Sequence, residues 1–293
     1  MAVILITGAN GQLGKELKKI SKNFFGHDFI YTDVDTLDIV NQLKTREFIL
    51  KKKPGWIINC AAYNFVDKAE TEPEAAFSIN SEGVKNIADS IRDSECRLIH
   101  FSTDYVFDGK SSIPYRETDK TNPLSKYGKS KLEGEKMALQ HPWTMVIRTS
   151  WLYSAFGNNF LKTILKIASE KGELNVVNDQ RGTPTWAADL AGAVMQIIHK
   201  VNNQVAAFNS GIYHFSNEGS CTWYDFAFAA IKSAGIDCRI NPVSTAEYPS
   251  VAVRPPYSVL SKKKIRDNYE IAVPEWQQSL NRCIDQMKRE KMI

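Results

Sequence analysis

Apolar runs and amphipathic stretches alternate along the first half of the chain. Val3-Ile4-Leu5-Ile6 is a continuous apolar run, the pattern of a strand buried on both faces. Leu13, Leu17 and Ile20 then recur at helical spacing. Phe29-Ile30-Tyr31 predicts a second short strand and Leu43–Lys53 a helix. Trp56-Ile57-Ile58-Asn59-Cys60 reads as a third strand. Ala75–Ile91 follows as a helix, with Ala76, Ile79, Val84, Ile87, Ala88 and Ile91 on its apolar side. Arg97–Phe101 is again strand-like, Leu124–Leu139 helical, and Thr144-Met145-Val146-Ile147 closes the series. This alternation implies right-handed crossovers and a parallel sheet covered on both faces. The expected class is α/β, a doubly wound parallel sheet with a smaller C-terminal lobe.

After Trp151 the pattern loosens. Prolines cluster at Pro242, Pro249, Pro255 and Pro256, and strands are hard to place. Ala187–His199 is once more a helix suited to packing on a sheet. The two parts are therefore expected to interleave, with 1–155 and 186–217 in the first domain and 156–185 and 218–293 in the lobe. The net charge of +4 is small and scattered, which argues against nucleic acid as a partner. Lys51-Lys52-Lys53 closes a helical pattern before Pro54-Gly55, where cations complement the helix dipole. Lys262-Lys263-Lys264 is read the same way. The five cysteines are odd in number and lack C-x-x-C spacing, so a disulfide framework or zinc site is not expected. No apolar stretch is long enough to span a membrane, and Ala2–Thr7 is too short for a signal peptide. The expected setting is cytoplasmic.

Glycines at 8, 11 and 14 lie between the first strand and the first helix, within Gly8-Ala9-Asn10-Gly11-Gln12-Leu13-Gly14. Gly8 permits the tight turn, Gly11 lets a pyrophosphate approach the backbone, and Gly14 lets the helix pack close to the sheet. The helix N-terminus then offers N–H groups to an anion. A plain glycine-rich turn is the alternative, but the strand before and the helix after favour a dinucleotide, in a Rossmann-like domain. Asp33, 19 residues after Gly14, stands where an acid binds the adenosine ribose, with Asp35 and Asp38 as competitors. An acid there favours NADH, without excluding NADPH. A role for Asp33 in merely capping a turn stays open.

Tyr127 and Lys131 are spaced i, i+4 on a predicted helix and so share a face. A tyrosine has a reference pKa near ~10, and an adjacent cation lowers it toward useful acidity. Such a pair suits protonation of a carbonyl oxygen while hydride arrives at carbon. The spacing alone is common, and a surface tyrosine beside a surface lysine is its plain alternative. Phe101-Ser102-Thr103-Asp104, however, ends a predicted strand 24 residues before Tyr127, counted from Thr103, and ligands of open parallel sheets bind at such ends. Thr103 is the candidate to bond the substrate oxygen, with Ser102 as fallback because the register is not fixed.

These residues, together with Tyr105-Val106-Phe107, resemble the extended short-chain dehydrogenase/reductase family. A closer likeness is to its dTDP-4-dehydrorhamnose reductase branch. It rests on Ala61-Ala62-Tyr63, Val66-Asp67-Lys68-Ala69-Glu70, Arg148–Tyr153, Gly157-Asn158-Asn159-Phe160, Asn178-Asp179-Gln180, Gly182-Thr183-Pro184-Thr185 and Arg254-Pro255. The likeness runs from the first strand to about Leu260. It implies reduction of the C4 ketone of dTDP-6-deoxy-L-lyxo-4-hexulose to dTDP-L-rhamnose. It makes Thr103, Tyr127 and Lys131 catalytic. It lines NADPH or NADH with Gly8, Asn10, Gly11, Gln12, Leu13, Gly14, Asp33, Ala61, Ala62 and Tyr63, besides Tyr127 and Lys131. It gives the sugar nucleotide to Asp104, Trp151, Asn159 and Arg254. Chemistry agrees for Arg254, whose fork suits a diphosphate. Trp151 offers an apolar wall, with core packing as its alternative.

Some positions depart from the family pattern. Asn64 and Phe65 replace small residues, and Tyr257 stands where Asn is usual. Some members form dimers bridged by magnesium. Glu16 matches one ligand, but Trp186-Ala187-Ala188 stands where another acid is wanted, with Asp189 nearest, which disfavours magnesium. The chain is expected to be a monomer or homodimer. Two other readings stay open: a regulatory binding subunit like that of methionine adenosyltransferase, and epimerisation or dehydration of a nucleotide sugar. The absence of an Asp-Glu pair after Thr103 argues against dehydration.

Overall fold

The computed structural model describes residues 2–248 and 250–293; Met1 and Pro249, one of the clustered prolines, lie outside the described residues. The apolar runs form β1 (Ala2–Thr7), β2 (His27–Tyr31), β3 (Trp56–Asn59), β4 (Arg97–Thr103) and β5 (Thr144–Thr149). The helical patterns between them form α1 (Gln12–Ile20), α2 (Gln42–Lys52), α3 (Lys68–Thr71), α4 (Pro73–Phe77), α5 (Gly83–Ser90) and α6 (Lys126–Ala138). Four short strands follow: β6 (Leu152–Tyr153), β7 (Glu173–Val177), β8 (Arg181–Gly182) and β9 (Thr185–Trp186). After them come β10 (Gly211–His214), β11 (Cys221–Thr222) and β12 (Arg239–Val243). The later helices are α7 (Phe160–Lys171), α8 (Ala187–Asn202), α9 (Trp223–Ala234), α10 (Lys263–Tyr269) and α11 (Trp276–Arg289).

The large sheet is six-stranded and parallel, in the order β10-β5-β4-β3-β1-β2. Strand order reverses beside β1, and ligands of such sheets bind outside the carboxyl ends of the strands at that point. Side chains alternate across the sheet with period two. Ile4, Ile6, Ile58, Ile99 and Ile147 pack under α1 and α8, while Leu5, Ile57, Leu98 and Val146 pack with residues of α2, α5 and α6. A separate apolar cluster fills the lobe, with α7, α9 and α11 around Tyr153, Val176 and Trp186. Residues Ile265 and Tyr269 of α10 belong instead to the cluster under the large sheet.

Three differences from the sequence expectation have local causes. The helix expected over 75–91 is interrupted by a π-helical turn, Ser78–Glu82, between α4 and α5. That turn sets the Asn80 side chain against Tyr63 and Ser130. The strand β12 contains Pro242, yet pairs in parallel with β7 in a sheet of only two strands, where one edge needs no N–H donor. Lys262-Lys263-Lys264 opens a helix rather than closing one, because α10 begins at Lys263. Lys262 is buried against Glu218, 3.3 Å away, and Lys264 donates to the Ile212 carbonyl at 2.7 Å. Lys51 and Lys52, by contrast, do end α2, with Lys53 as its left-handed cap. The five cysteines are unpaired, and no helix among the described residues is long and apolar enough to cross a membrane.

Candidate active site

The glycine loop leaves β1 at its carboxyl end. Gly8 has φ +62, and a Cβ there would lie 2.6 Å from the Ala61 nitrogen. A Cβ on Gly14 would lie 2.4 Å from the Gly8 carbonyl oxygen. Both are demanded by the chain's own backbone. Gly11 differs: an added Cβ would meet only the Gly8 oxygen, at 3.2 Å, so its remaining side is open to a ligand. Gly11 is also the N-cap of α1, where no side chain closes the first turn. The first N–H groups of a helix lack intrahelical partners, so Gln12, Leu13 and Gly14 are left to meet an anion. This cradle fits a dinucleotide pyrophosphate.

Asp33 holds this loop to the end of β2. Its carboxylate accepts the Asn10 N–H at 2.8 Å and the Val34 N–H at 2.9 Å. On the other side, Ala61-Ala62-Tyr63 continue from β3. The Ala61 N–H meets Asn59 Oδ1 at 3.3 Å, and the Tyr63 N–H and C=O are both bonded by the Asn80 side chain, at 2.9 and 3.0 Å. Nothing in the local sequence around Asn80 marks this role, because it depends on a π turn. A polar residue inside an apolar helical stripe was the one available signal.

β4 presents Ser102 and Thr103 to opposite faces. Ser102 donates to Glu135 at 2.5 Å, while Thr103 donates to Asp104 Oδ1 at 3.0 Å and lies beside Tyr127. Of the two, Thr103 is therefore the one on the side of the phenol. Helix α6 carries Tyr127 and Lys131 at its start, capped by Ser125, which accepts the Gly128 N–H at 3.0 Å. Gly128 lets this helix approach closely, since a Cβ there would lie 2.3 Å from the Tyr105 carbonyl oxygen. Tyr105 in turn packs edge-on against Tyr127, with centroids 5.7 Å apart.

Thr103, Asp104, Tyr127 and Lys131 are all buried at this centre. Burial lowers the Lys131 pKa to about 8, against an opposing pull from Glu135, one helical turn on. Its ammonium donates to the Phe101 carbonyl at 2.7 Å. Glu135 is locked by Arg148, whose Nε and Nη2 lie 2.8 and 2.7 Å from its two oxygens. Burial raises the Asp104 pKa to about 6. The phenol behaves otherwise than the spacing suggested. Burial pushes the Tyr127 pKa up, the Thr103 hydroxyl pulls it back in part, and Asp104 adds to the rise. The ammonium of Lys131 does not lower it here, because that charge is turned toward the strand carbonyl.

The lobe closes the other side. Trp151 has φ +46, which few L-residues adopt and which costs on the order of 1–2 kcal/mol. Its indole stacks on Trp223, with centroids 3.5 Å apart and planes 7° apart. Gly182 lies beneath it, since a Cβ there would come within 2.5 Å of the ring. Trp151 is thus partly a packing residue and partly a wall, and Trp223 shares the wall from a stretch the sequence reading passed over. Asn159 sits against the glycine loop, donating to Gln12 at 3.0 Å and to the Ser154 carbonyl at 2.7 Å. Its oxygen caps α7 by accepting the Lys162 N–H at 3.1 Å, so its polar atoms are already engaged. Arg254 reaches across to the first domain and forms a bidentate pair with Asp67, at 2.7 and 3.3 Å.

The carboxylates considered for magnesium are committed elsewhere. Glu16 is buried and accepts the Ser154 hydroxyl at 2.6 Å. Asp189 accepts from Asn217, Ser279 and Arg282. Among the described residues no three metal-ligating side chains cluster. Asp189 and Glu290 act on Glu16 only through their charge.

The family model described as the RmlD substrate binding domain matches residues 1–289. The chain is 41% identical over 288 residues to a dTDP-4-dehydrorhamnose reductase of Aggregatibacter actinomycetemcomitans, covering 96% of this chain and 97% of that one. A dTDP-4-dehydrorhamnose reductase structure from Clostridium acetobutylicum superposes with a TM-score of 0.92 at 42% identity, over 98% of this chain and 99% of that one. The Bacillus anthracis enzyme, solved in complex with NADP, gives 0.92 at 38% identity, over 97% and 99%.

Proposed function

The chain belongs to the dTDP-4-dehydrorhamnose reductase family, and from that premise we propose how its own residues perform the reaction. It is an NAD(P)H-dependent oxidoreductase that converts dTDP-4-dehydrorhamnose to dTDP-L-rhamnose, the last step in making that sugar nucleotide. Family membership decides for the reductase over the regulatory-subunit and epimerase or dehydratase readings. The observation that carries the mechanism is the buried group of Thr103, Asp104, Tyr127 and Lys131 at the mouth of β4.

The reduced nicotinamide supplies the hydride to C4 of the sugar. Tyr127 delivers its phenolic proton to the ketone oxygen, which becomes the new hydroxyl. Burial keeps that phenol protonated until the oxygen develops charge, so proton and hydride movement are coupled. Thr103 orients the same oxygen. Its single hydroxyl proton goes to that oxygen when Asp104, whose pKa burial raises to about 6, is protonated; an ionised Asp104 takes that proton instead. Asp104 thus acts through Thr103. Lys131 holds the cofactor ribose, and Glu135 favours its cationic form. The glycine loop takes the pyrophosphate, and Asp33 the adenosine ribose of NADH or NADPH. Trp151 and Arg254 receive the sugar nucleotide, and Asn159 braces the lobe against the cofactor loop. The setting is cytoplasmic, in keeping with five unpaired cysteines.

The test is a stoichiometric assay. With dTDP-4-dehydrorhamnose, one reduced cofactor is consumed for each product, whose mass exceeds the substrate's by two hydrogens. Isomerised sugar without cofactor consumption contradicts the assignment.

A further inference from the structure

Asp67 is the N-cap residue of α3, yet its side chain does not cap that helix. It is spent on the lobe instead. Oδ2 and Oδ1 lie 2.7 and 3.3 Å from the two terminal nitrogens of Arg254, and Oδ1 also accepts the Ala252 N–H at 3.0 Å. Burial raises the Asp67 pKa, but the bonds from Arg254 and from the backbone at Ala252 and Val251 outweigh it and hold the carboxyl below its usual range. The partners are separated by 187 positions in the chain, so this pair is a tie between the two halves of the site.

The same short helix has a second tie. Glu70 accepts the Lys126 N–H at 2.7 Å, at the first residue of α6 and immediately before Tyr127. Arg254 is also close enough to Tyr105 for their charges to interact, and the Tyr105 ring packs on Tyr127. Helix α3 therefore fixes the guanidinium relative to the phenol: Glu70 sets one end and Asp67 the other. Arg254 remains a quarter exposed despite this pairing.

We propose that Asp67 is a positioning residue for substrate capture, holding Arg254 and the 250–254 segment so that the free N–H groups meet the diphosphate of the sugar nucleotide. This rests on the reading of Arg254 as the diphosphate residue. Without Asp67 a long, flexible guanidinium must be ordered by the ligand itself, and that ordering cost reduces affinity. A competing role predicts the opposite sign: a carboxylate that merely occupies Arg254 until substrate arrives weakens binding, and its removal tightens it.

The probes are thymidine diphosphate and thymidine, titrated by calorimetry into the full chain saturated with NADPH. Asp67→Ala, Asp67→Asn and Arg254→Ala are compared with the unmodified protein, and melting temperatures verify folding. Arg254→Ala is expected to weaken thymidine diphosphate roughly tenfold to a hundredfold, as for loss of hydrogen bonds to a charged group. Asp67→Ala is expected to weaken it about tenfold, as for loss of one charge-assisted bond. Asp67→Asn, which keeps an acceptor for Ala252, falls between. Thymidine affinity stays unchanged throughout, and in turnover the KM for the sugar nucleotide rises while kcat changes little. A merely structural role moves the melting temperature and the NADPH affinity as well. Unchanged or tighter thymidine diphosphate binding in Asp67→Ala, with Arg254→Ala weakened, overturns the inference alone. Unchanged binding in Arg254→Ala overturns the underlying reading of Arg254, and the inference with it.

Discussion

The two sides of the cleft are built differently. On the sheet side, Thr103 ends a long strand, Asp104 opens the turn after it, Tyr127 and Lys131 lie on a capped helix, and all four are almost wholly buried. On the lobe side, Trp151 and Arg254 lie in irregular segments, Trp151 immediately before β6, and are held by contacts from distant parts of the chain. The charges differ accordingly. Arg148 and Glu135 are each 2% exposed, whereas Arg254 and Asp67 are 25% and 44% exposed. Burial sets the chemistry of the first side, through the shifted Lys131 and Asp104. The proposed recognition geometry of the second rests on the Arg254–Asp67 pair, whose members are 187 positions apart. Perturbing a charge on the sheet side should therefore be felt in stability and pH dependence, and on the lobe side in affinity.

The largest contrast is expected from one substitution made on each side. Arg148→Met leaves the Glu135 carboxylate buried without its partner and should cost about 3–5 kcal/mol of stability in urea unfolding. Arg254→Met, at the rim, should cost about 1 kcal/mol or less, because exposed pairs contribute little. Equal losses would erase the distinction between the sides. A smaller effect is expected in the pH profile. Burial lowers the Lys131 pKa to about 8, so its cation is present below that pH and kcat/KM should fall as pH rises through it. Glu135 opposes that lowering, so Glu135→Gln should move the fall to lower pH by on the order of one unit. The smallest effect concerns the cofactor loop. Asp33→Ser removes a half-buried negative charge at the proposed ribose site and should shift preference toward NADPH by roughly fivefold, equivalent to about 1 kcal/mol. The ratio of kcat/KM values for the two cofactors reads this directly.

The same division decides what was legible in the sequence. The sheet was readable because Ile4–Ile6, Trp56–Ile58 and Leu98-Ile99 are buried on both faces and so leave apolar runs in the sequence. The glycine loop was readable because Gly8 and Gly14 answer to backbone clashes within one short stretch and its strand neighbour. β10 escaped notice because Gly211-Ile212-Tyr213-His214 is short and mixed, and β12 because Pro242 disguises it. In the lobe, the facts that matter are pairings over long sequence distances. Trp223 meets Trp151, and Asp67 meets Arg254, only after folding. The expectation that Lys131 acidifies Tyr127 failed for a related reason. Helical spacing gives a shared face, but the ammonium takes the nearer carbonyl of Phe101.

The central claim is that the buried Tyr127 phenol is the proton donor to the sugar ketone. Single-turnover reduction of dTDP-4-dehydrorhamnose by Tyr127→Phe tests it, with NADPH and thymidine diphosphate affinities measured alongside. The account predicts hydride transfer slowed by roughly 10²–10⁴-fold, the usual contribution of a general acid, with both affinities little changed. Hydride transfer at the unmodified rate, with both ligands bound normally, would contradict it.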